Sequence, residues 1–319
     1  VRLRSVTASS GNGDMNMAEV LHLQPLRGEL RLNEPMAKHV SWRAGGSAAR
    51  TYAPADVDDL SAFLRTLPRS EGLYFCGLGS NLLVRDGGVR ATVVFTHWAL
   101  RRIELLSTGE REIKIYAGAG IAAPKAARYA ALHGAEGAEF LAGIPGTIGG
   151  ALAMNAGCYG GEMWNLVSSV TTIDREGRLH ERRHNEYQIG YRSVAGPADE
   201  WFVAAILRIP SGEAKKSLNK IKELLTKRIA SQPLQQPNAG SVFRNPLNDH
   251  AARLIEACGL KGARVGGAEI SRKHSNFIVN TGDASAADIE GLIDLAQKAV
   301  REKFGVELER EVRIIGERA

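Results

Sequence analysis

The sequence has few of the features that mark disulfide-rich, metal-binding, membrane or nucleic-acid-binding chains. Its 319 residues include only three cysteines, Cys76, Cys158 and Cys258. They are widely spaced and form no Cys-x-x-Cys pair, so a disulfide framework and a cysteine zinc site are excluded and a reducing compartment is expected. No metal is expected. No apolar run approaches the roughly 18 residues that a membrane-spanning helix needs. Arg2 and Arg4 lead into polar, glycine-containing residues, not an apolar segment. No signal peptide is therefore expected, residues 1–19 are expected to form a loose tail, and the location is expected to be cytoplasmic. Aromatics make up 6% and no Lys/Arg run exceeds three residues. A nucleic-acid stacking surface needs both, so no nucleic-acid partner is expected.

Glycine is abundant: 35 residues, against a usual share of about 7%. The excess is clustered, which points to special backbone sites and not to a linker or a collagen repeat. Apolar content of 44% and charge of 24% are ordinary for a globular chain, and the net charge of +6 suits anionic small substrates.

Local patterns place helices over residues 56–67, 123–133, 218–230, 249–258 and 286–304. Asp56 and Asp249 are expected caps, and Gly134, Gly259 and Gly305 are expected stops. Strands are expected over 50–54, 74–76, 93–95, 112–117, 170–174, 179–182, 201–209, 276–280 and 306–314. The β texture between 167 and 210 gives way to helix, and a domain boundary is expected near 211–213.

Three glycine-rich segments carry the functional signal. The first is Gly77-Leu78-Gly79-Ser80-Asn81-Leu82, which follows a strand and can form an anion cradle. The second is Gly118-Ala119-Gly120-Ile121-Ala122-Ala123, between a strand and a helix, which matches the dinucleotide fingerprint G-x-G-x-x-G/A. The third begins Gly143-Ile144-Pro145-Gly146-Thr147-Ile148-Gly149-Gly150 and runs through Asn155-Ala156-Gly157 to Gly161. Its seven glycines in 19 residues exceed what a turn needs, and they let the backbone approach a flat or charged ligand closely. The second segment raises the alternative of a nicotinamide dehydrogenase. That fold requires an acidic residue ending a second strand about 20 positions on. Here that place holds His133-Gly134-Ala135-Glu136-Gly137-Ala138-Glu139, which runs into the third glycine segment.

These segments, together with Trp42-Arg43-Ala44-Gly45-Gly46-Ser47, Gly190-Tyr191-Arg192, Gly240-Ser241-Val242-Phe243-Arg244-Asn245-Pro246, Gly259-Leu260-Lys261-Gly262, residues 274–280 and residues 309–316, resemble the UDP-N-acetylenolpyruvoylglucosamine reductases. The resemblance spans about residues 40–316. It implies an α+β fold: a two-lobed split FAD-binding unit of the vanillyl-alcohol-oxidase/PCMH type, plus a C-terminal α/β substrate-binding domain. The lobes are expected over 20–96 and 97–211, and the C-terminal domain over 212–319. It also implies FAD as cofactor, NADPH as co-substrate and reduction of an enolpyruvyl sugar nucleotide to UDP-N-acetylmuramate for peptidoglycan. The hydride comes from flavin N5.

By the same resemblance Arg192, Ser241 and Glu311 are the catalytic residues. Ser241 is the proton donor, and Arg192 and Glu311 stabilise the enolate. Gly45, Gly46, the three glycine segments and Asn155 are expected at the cofactor. Asn245, Lys261, His274 and Arg244 are expected at the substrate diphosphate. Taken alone, Arg192 reads as a strand-start charge, Ser241 as a turn serine, His274 as a structural histidine and Glu311 as part of a solvated strand face. Only residues 247–259 separate the Asn-Pro turn from the Leu-Lys-Gly motif, so the chain resembles the family's short form, which lacks a tyrosine-bearing loop. A monomer is expected. Another flavin oxidoreductase on the same split fold is the remaining alternative.

Overall fold

The computed structural model describes residues 26–319; the tail expected over residues 1–19 lies outside them. The architecture is α+β. A first sheet holds, in spatial order, strands Glu29–Pro35, Ser47–Ala53, Val89–Phe95 and Leu73–Cys76. The first pair is antiparallel and the other two are parallel. Helix α1, Val57–Thr66, makes the crossover between parallel strands. Its Asp56 cap accepts from Asp59 N at 2.9 Å, an interaction worth about 1 kcal/mol. Its apolar face, Leu60, Phe63 and Leu64, packs with Tyr52 and Val94.

The second sheet is fully antiparallel, in the order Leu179–Arg183, Val167–Asp174, Glu200–Pro210, Glu112–Gly118, Ile103–Thr108. Helices α2, Ala123–Leu132, and α3, Ile148–Ala153, cover it and bury an alanine-rich face over Ile113, Ile115 and Leu207. The two sheets share a core, in which Ala119, Ile173 and Val203 join the α1 cluster. Phe75 also stacks on Trp201 at 4.9 Å.

Helix α4, Ala214–Ser231, follows the second sheet and packs on α2 and the turn Glu139–Gly143. Ser217 Oγ ties it to Ala135 O at 3.0 Å. The last part of the chain packs α5, Ala251–Ala257, and α6, Ala286–Phe304, against a short antiparallel sheet of Arg264–Val265, Ala268–Ile270 and Ile278–Asn280. Ser285 and Asp288 form a capping box on α6, and Gly305 closes it in the left-handed conformation.

This last part locks onto the first sheet. Arg313–Ile315 pairs in parallel with Leu82–Val84. Trp42 is fully buried and donates from Nε1 to Ile278 O at 2.7 Å. Asp86 accepts from the N–H groups of Ala286 and Ala287 at the start of α6, at 2.9 and 2.8 Å.

Two expected features differ in the structure. Residues 306–312 are not a strand; only Arg313–Ile315 is. The backbone there changes partners residue by residue, with Arg244 N bonding Glu309 O and Glu311 N bonding Val242 O. Asp249 does not cap α5. The helix begins one residue later, behind His250, and Asn245 Oδ1 accepts from Ala251 N at 3.1 Å. Asp249 instead holds His250 N and Arg253.

Candidate active site

A cleft of about 400 Å³ opens where the three parts meet. One wall is the first glycine segment, with Gly77, Gly79, Ser80, Asn81 and Leu82. Facing it is the long glycine loop, with Gly143, Ile144, Pro145, Gly146, Thr147, Gly150, Ala156 and Gly157. The loops meet edge to edge. A Cβ on Gly77 would come within 2.4 Å of Thr147 Oγ1, so the wall there is bare backbone. Two backbone-lined loops facing one gap suit a flat, phosphate-bearing dinucleotide.

Other expected cofactor residues lie off this lining. Gly45 and Gly46 back onto Val84 O and Asp86 O. Gly118 and Gly120 back onto the carbonyls of Leu100 and Thr96, Ala119 is fully buried, and Gly149 packs on Ala119. The strand Glu112–Gly118 is antiparallel to both neighbours, whereas a nicotinamide-binding Rossmann unit needs parallel strands. The dehydrogenase alternative therefore falls.

Arg192, Ser241 and Glu311, from three separate segments, all line this cleft, as do Tyr191, Asn245 and Arg313. Glu311 N bonds Val242 O, next to Ser241, at 2.8 Å. Arg192 sits in the tight turn between strands Gln188–Gly190 and Ser193–Ala195. Its φ of +52° is costly for a non-glycine residue. Its Nε meets Glu311 Oε1 at 3.3 Å, and its Nη atoms donate to Asn155 O (3.3 Å) and to Gly157 O. Both side chains are mostly buried, 14% and 15% exposed. Burial pushes the Glu311 carboxyl up, against the opposing pull of Arg192 and Arg244. Glu311 is thus no solvated strand residue. Asn81 Nδ2 donates to Glu311 O at 3.0 Å and links the first glycine segment to this corner.

Arg244, Lys261 and His274 are outside the lining. Arg244 braces the corner from behind, donating to Arg192 O at 3.0 Å and Glu309 Oε2 at 3.2 Å. Lys261 pairs with Glu256 at 2.7 Å. His274 accepts from Asn276 N at 3.3 Å, and burial pushes its imidazole pKa down.

Two cleft residues carry no motif signal. Arg228 and Gln232, at the end of α4, line the cleft and bond each other at 2.9 Å. A basic residue on the inner face of an amphipathic helix is their only mark in the sequence. Asn276 fixes the backbone beside Ser241, with its side chain bonding Phe243 N (3.0 Å) and Phe243 O (2.8 Å).

The expectation of no metal passed over one spelling. His180-Glu181-Arg182-Arg183-His184 reads as a His-Glu-x-x-His zinc motif. That motif works on a helix, where i and i+4 share a face one turn apart. Here it starts on strand Leu179–Arg183, where the same spacing covers about 13 Å. His180 instead pairs with Asp174 at 2.8 Å. Among the described residues no group of three metal-ligating side chains converges.

Comparison with known proteins agrees with this geometry. Residues 48–182 match a family model described as an FAD binding domain, and residues 232–315 match the C-terminal domain of UDP-N-acetylenolpyruvoylglucosamine reductase. The reductase of that name from Nitrosospira multiformis is 56% identical over 95% of this chain and 94% of its own length. The one from Thiobacillus denitrificans is 54% identical over 92% and 94%. Among solved structures, the reductase from Thermus caldophilus aligns with a TM-score of 0.74 at 31% identity, covering 90% of this chain and 98% of that one.

Proposed function

The chain belongs to the UDP-N-acetylenolpyruvoylglucosamine reductase family, an FAD-dependent group of oxidoreductases, and on that premise we propose how its residues carry the reaction. The substrate is UDP-N-acetylglucosamine enolpyruvate, and the product is UDP-N-acetylmuramate. The observation that carries this reading is that Arg192, Ser241 and Glu311 all line one cleft walled by two glycine-rich loops. The loops at 77–82 and 143–157 would hold FAD, which, once reduced by NADPH, would supply the hydride for the enolpyruvyl double bond.

The side chains complete the addition. Arg192 pairs with the substrate carboxylate and holds the negative charge that develops as the double bond is reduced. Burial favours the neutral form of Glu311, which in that form donates a hydrogen bond to the same oxygens. The Ser241 hydroxyl gives its proton to the carbon next to the carboxylate. An enolate carbon is basic enough to take it when the two are held together. Asn276 and the backbone it fixes do the holding.

Arg228, half-buried in the cleft wall, and the adjacent Gln232 and Asn245 take the diphosphate. Burial depresses the Arg228 guanidinium, an unfavourable setting that a bound phosphate relieves. Lys261 and His274 then act as supports behind this subsite. The α4 helix belongs by packing to the second lobe, so the substrate-binding part begins in function near residue 232. A cytoplasmic location and a monomeric state go with this reading.

The visible spectrum of the purified holoenzyme is the direct test. NADPH is expected to bleach the flavin, and the enolpyruvyl sugar nucleotide to restore it. A colourless protein, or flavin that the sugar nucleotide leaves bleached, overturns the proposal. Ser241→Ala is expected to bleach normally yet regain colour about 1000-fold more slowly, the scale of a lost general acid. Equal loss in both halves means a folding defect instead.

A further inference from the structure

Arg192 has a second carboxylate beside it. Glu162 Oε1 stands 4.0 Å from its Nη1, whereas Glu311 approaches its Nε. Glu162 is not free to wander. Its other oxygen accepts from Asn155 Nδ2 at 3.0 Å, and its backbone pairs with Gly157 in the short hairpin Gly157–Cys158 and Gly161–Glu162.

Asn155 is the centre of this arrangement. It is 1% exposed and adopts φ +45°. The same Nδ2 also donates to Gly190 O at 3.1 Å, at the base of the Arg192 turn, and its Oδ1 accepts from Trp164 N at 3.2 Å. Its backbone carbonyl receives Arg192 Nη1. One residue therefore grips both the turn that carries Arg192 and the head group itself. Gly157 is needed in the same bracket, because a Cβ there would come within 2.3 Å of Gly161 O and 3.2 Å of Arg192 Nη1. Asn155 itself is not among the residues that line the cleft, though its neighbours Met154, Ala156 and Gly157 are.

We propose that Glu162, locked by Asn155, is a positioning residue that aims the Arg192 guanidinium at the substrate carboxylate and keeps the catalytic proton on Glu311. The physical reason is charge sharing. A cation already faced by one carboxylate stabilises a second carboxylate less, so the second keeps its proton to higher pH. The charged groups acting on Glu311 are Arg192 from the turn and Arg244 from the segment after Ser241; Glu162, from the hairpin, faces Arg192. Glu309 and Arg313 lie on its own segment. Burial raises its proton affinity, and Arg192 and Arg244 lower it; Glu162 acts on it through Arg192, whose Nη1 it faces at 4.0 Å.

The inference rests on the proposed reductase reading. Its test is the rate at which the enolpyruvyl sugar nucleotide reoxidises NADPH-reduced holoenzyme, measured across pH. Glu162→Gln keeps the shape of the bracket and removes the charge. Its alkaline limb is expected to move acidward by roughly half a pH unit or more, with NADPH reduction unchanged. Asn155→Ala removes the bracket, and reoxidation is expected to fall about 100-fold at every pH. Wild-type holoenzyme that is reoxidised normally, with a Glu162→Gln limb at the wild-type position, overturns this inference alone. Wild-type flavin that the sugar nucleotide does not reoxidise overturns the reductase reading and this inference with it.

Discussion

Two arginine–glutamate pairs join distant parts of this chain, and they are set in opposite ways. Arg85 from the first lobe grips Glu290 of α6 with two hydrogen bonds, at 2.9 and 2.8 Å, and Arg318 adds a third at 3.1 Å. Arg192 touches Glu311 once, at 3.3 Å, and spends its other N–H groups on loop carbonyls. At the first pair two cations converge on one carboxylate. At the second, two carboxylates flank one cation. The first arrangement lowers Glu290 from the usual 4.5 to about 2, through the Arg85 hydrogen bonds above all. The second leaves Glu311 raised. Burial outweighs the single arginine contact at Glu311, whereas the arginine hydrogen bonds outweigh burial at Glu290, so the Arg85–Glu290 pair is a fixed joint and the Arg192–Glu311 pair can exchange a proton.

Breaking the chemical pair is expected to have the largest effect. Arg192→Lys keeps the charge but cannot reach the two carbonyls and pair with a carboxylate in one plane. Reoxidation of the reduced flavin should slow about 100-fold or more, while thermal unfolding shifts little.

Breaking the joint should do the reverse. Glu290→Gln leaves Arg85 and Arg318 without their anion and should cost about 2 kcal/mol, because both arginines keep some access to water. Calorimetry should register a lower melting temperature, and stopped-flow reoxidation should remain near wild type. This cost depends on pH. The folded-state pKa of Glu290 is depressed, so its stabilisation is complete above its unfolded value of 4.5 and fades as pH falls toward 2. The stability gap between wild type and Glu290→Gln should therefore close in that window. A gap that is constant with pH would mean the cost is packing, not charge.

The smallest effect is expected at the cap beside that joint. Asp86→Ala leaves the N–H groups of Ala286 and Ala287 without their acceptor, which should cost about 1 kcal/mol and no catalytic rate. Denaturant unfolding of this variant in the Glu290→Gln background would show whether the two contacts act together.

Local sequence signals described the elements well wherever a single local rule decides the outcome. Asp56 caps α1, and Gly305 ends α6 in the left-handed conformation its sequence predicts. The alternating residues 306–314 misled because alternation specifies a side-chain pattern, not a backbone partner, and here the partners change along the segment. Asp249 reads as a cap, yet Asn245, from the turn before it, reaches the helix first. At the site, the glycine loops and the trio Arg192, Ser241 and Glu311 are legible as motifs. Arg228 and Glu162 are not. Each acts through a contact that only the folded chain creates: a cleft wall, a second carboxylate on one cation. The glycine fingerprint at 118–120 shows the converse. It has the right spelling on the wrong kind of sheet.

The contrast between the pairs is tested most directly by reoxidising NADPH-reduced holoenzyme with UDP-N-acetylglucosamine enolpyruvate in two matched variants, Glu311→Gln and Glu290→Gln, over a range of pH. Glu290→Gln should regain flavin colour at close to the wild-type rate. Glu311→Gln should regain colour far more slowly at every pH and lose the wild-type dependence on pH. Near-wild-type turnover by Glu311→Gln across that range would contradict a proton-holding role for Glu311.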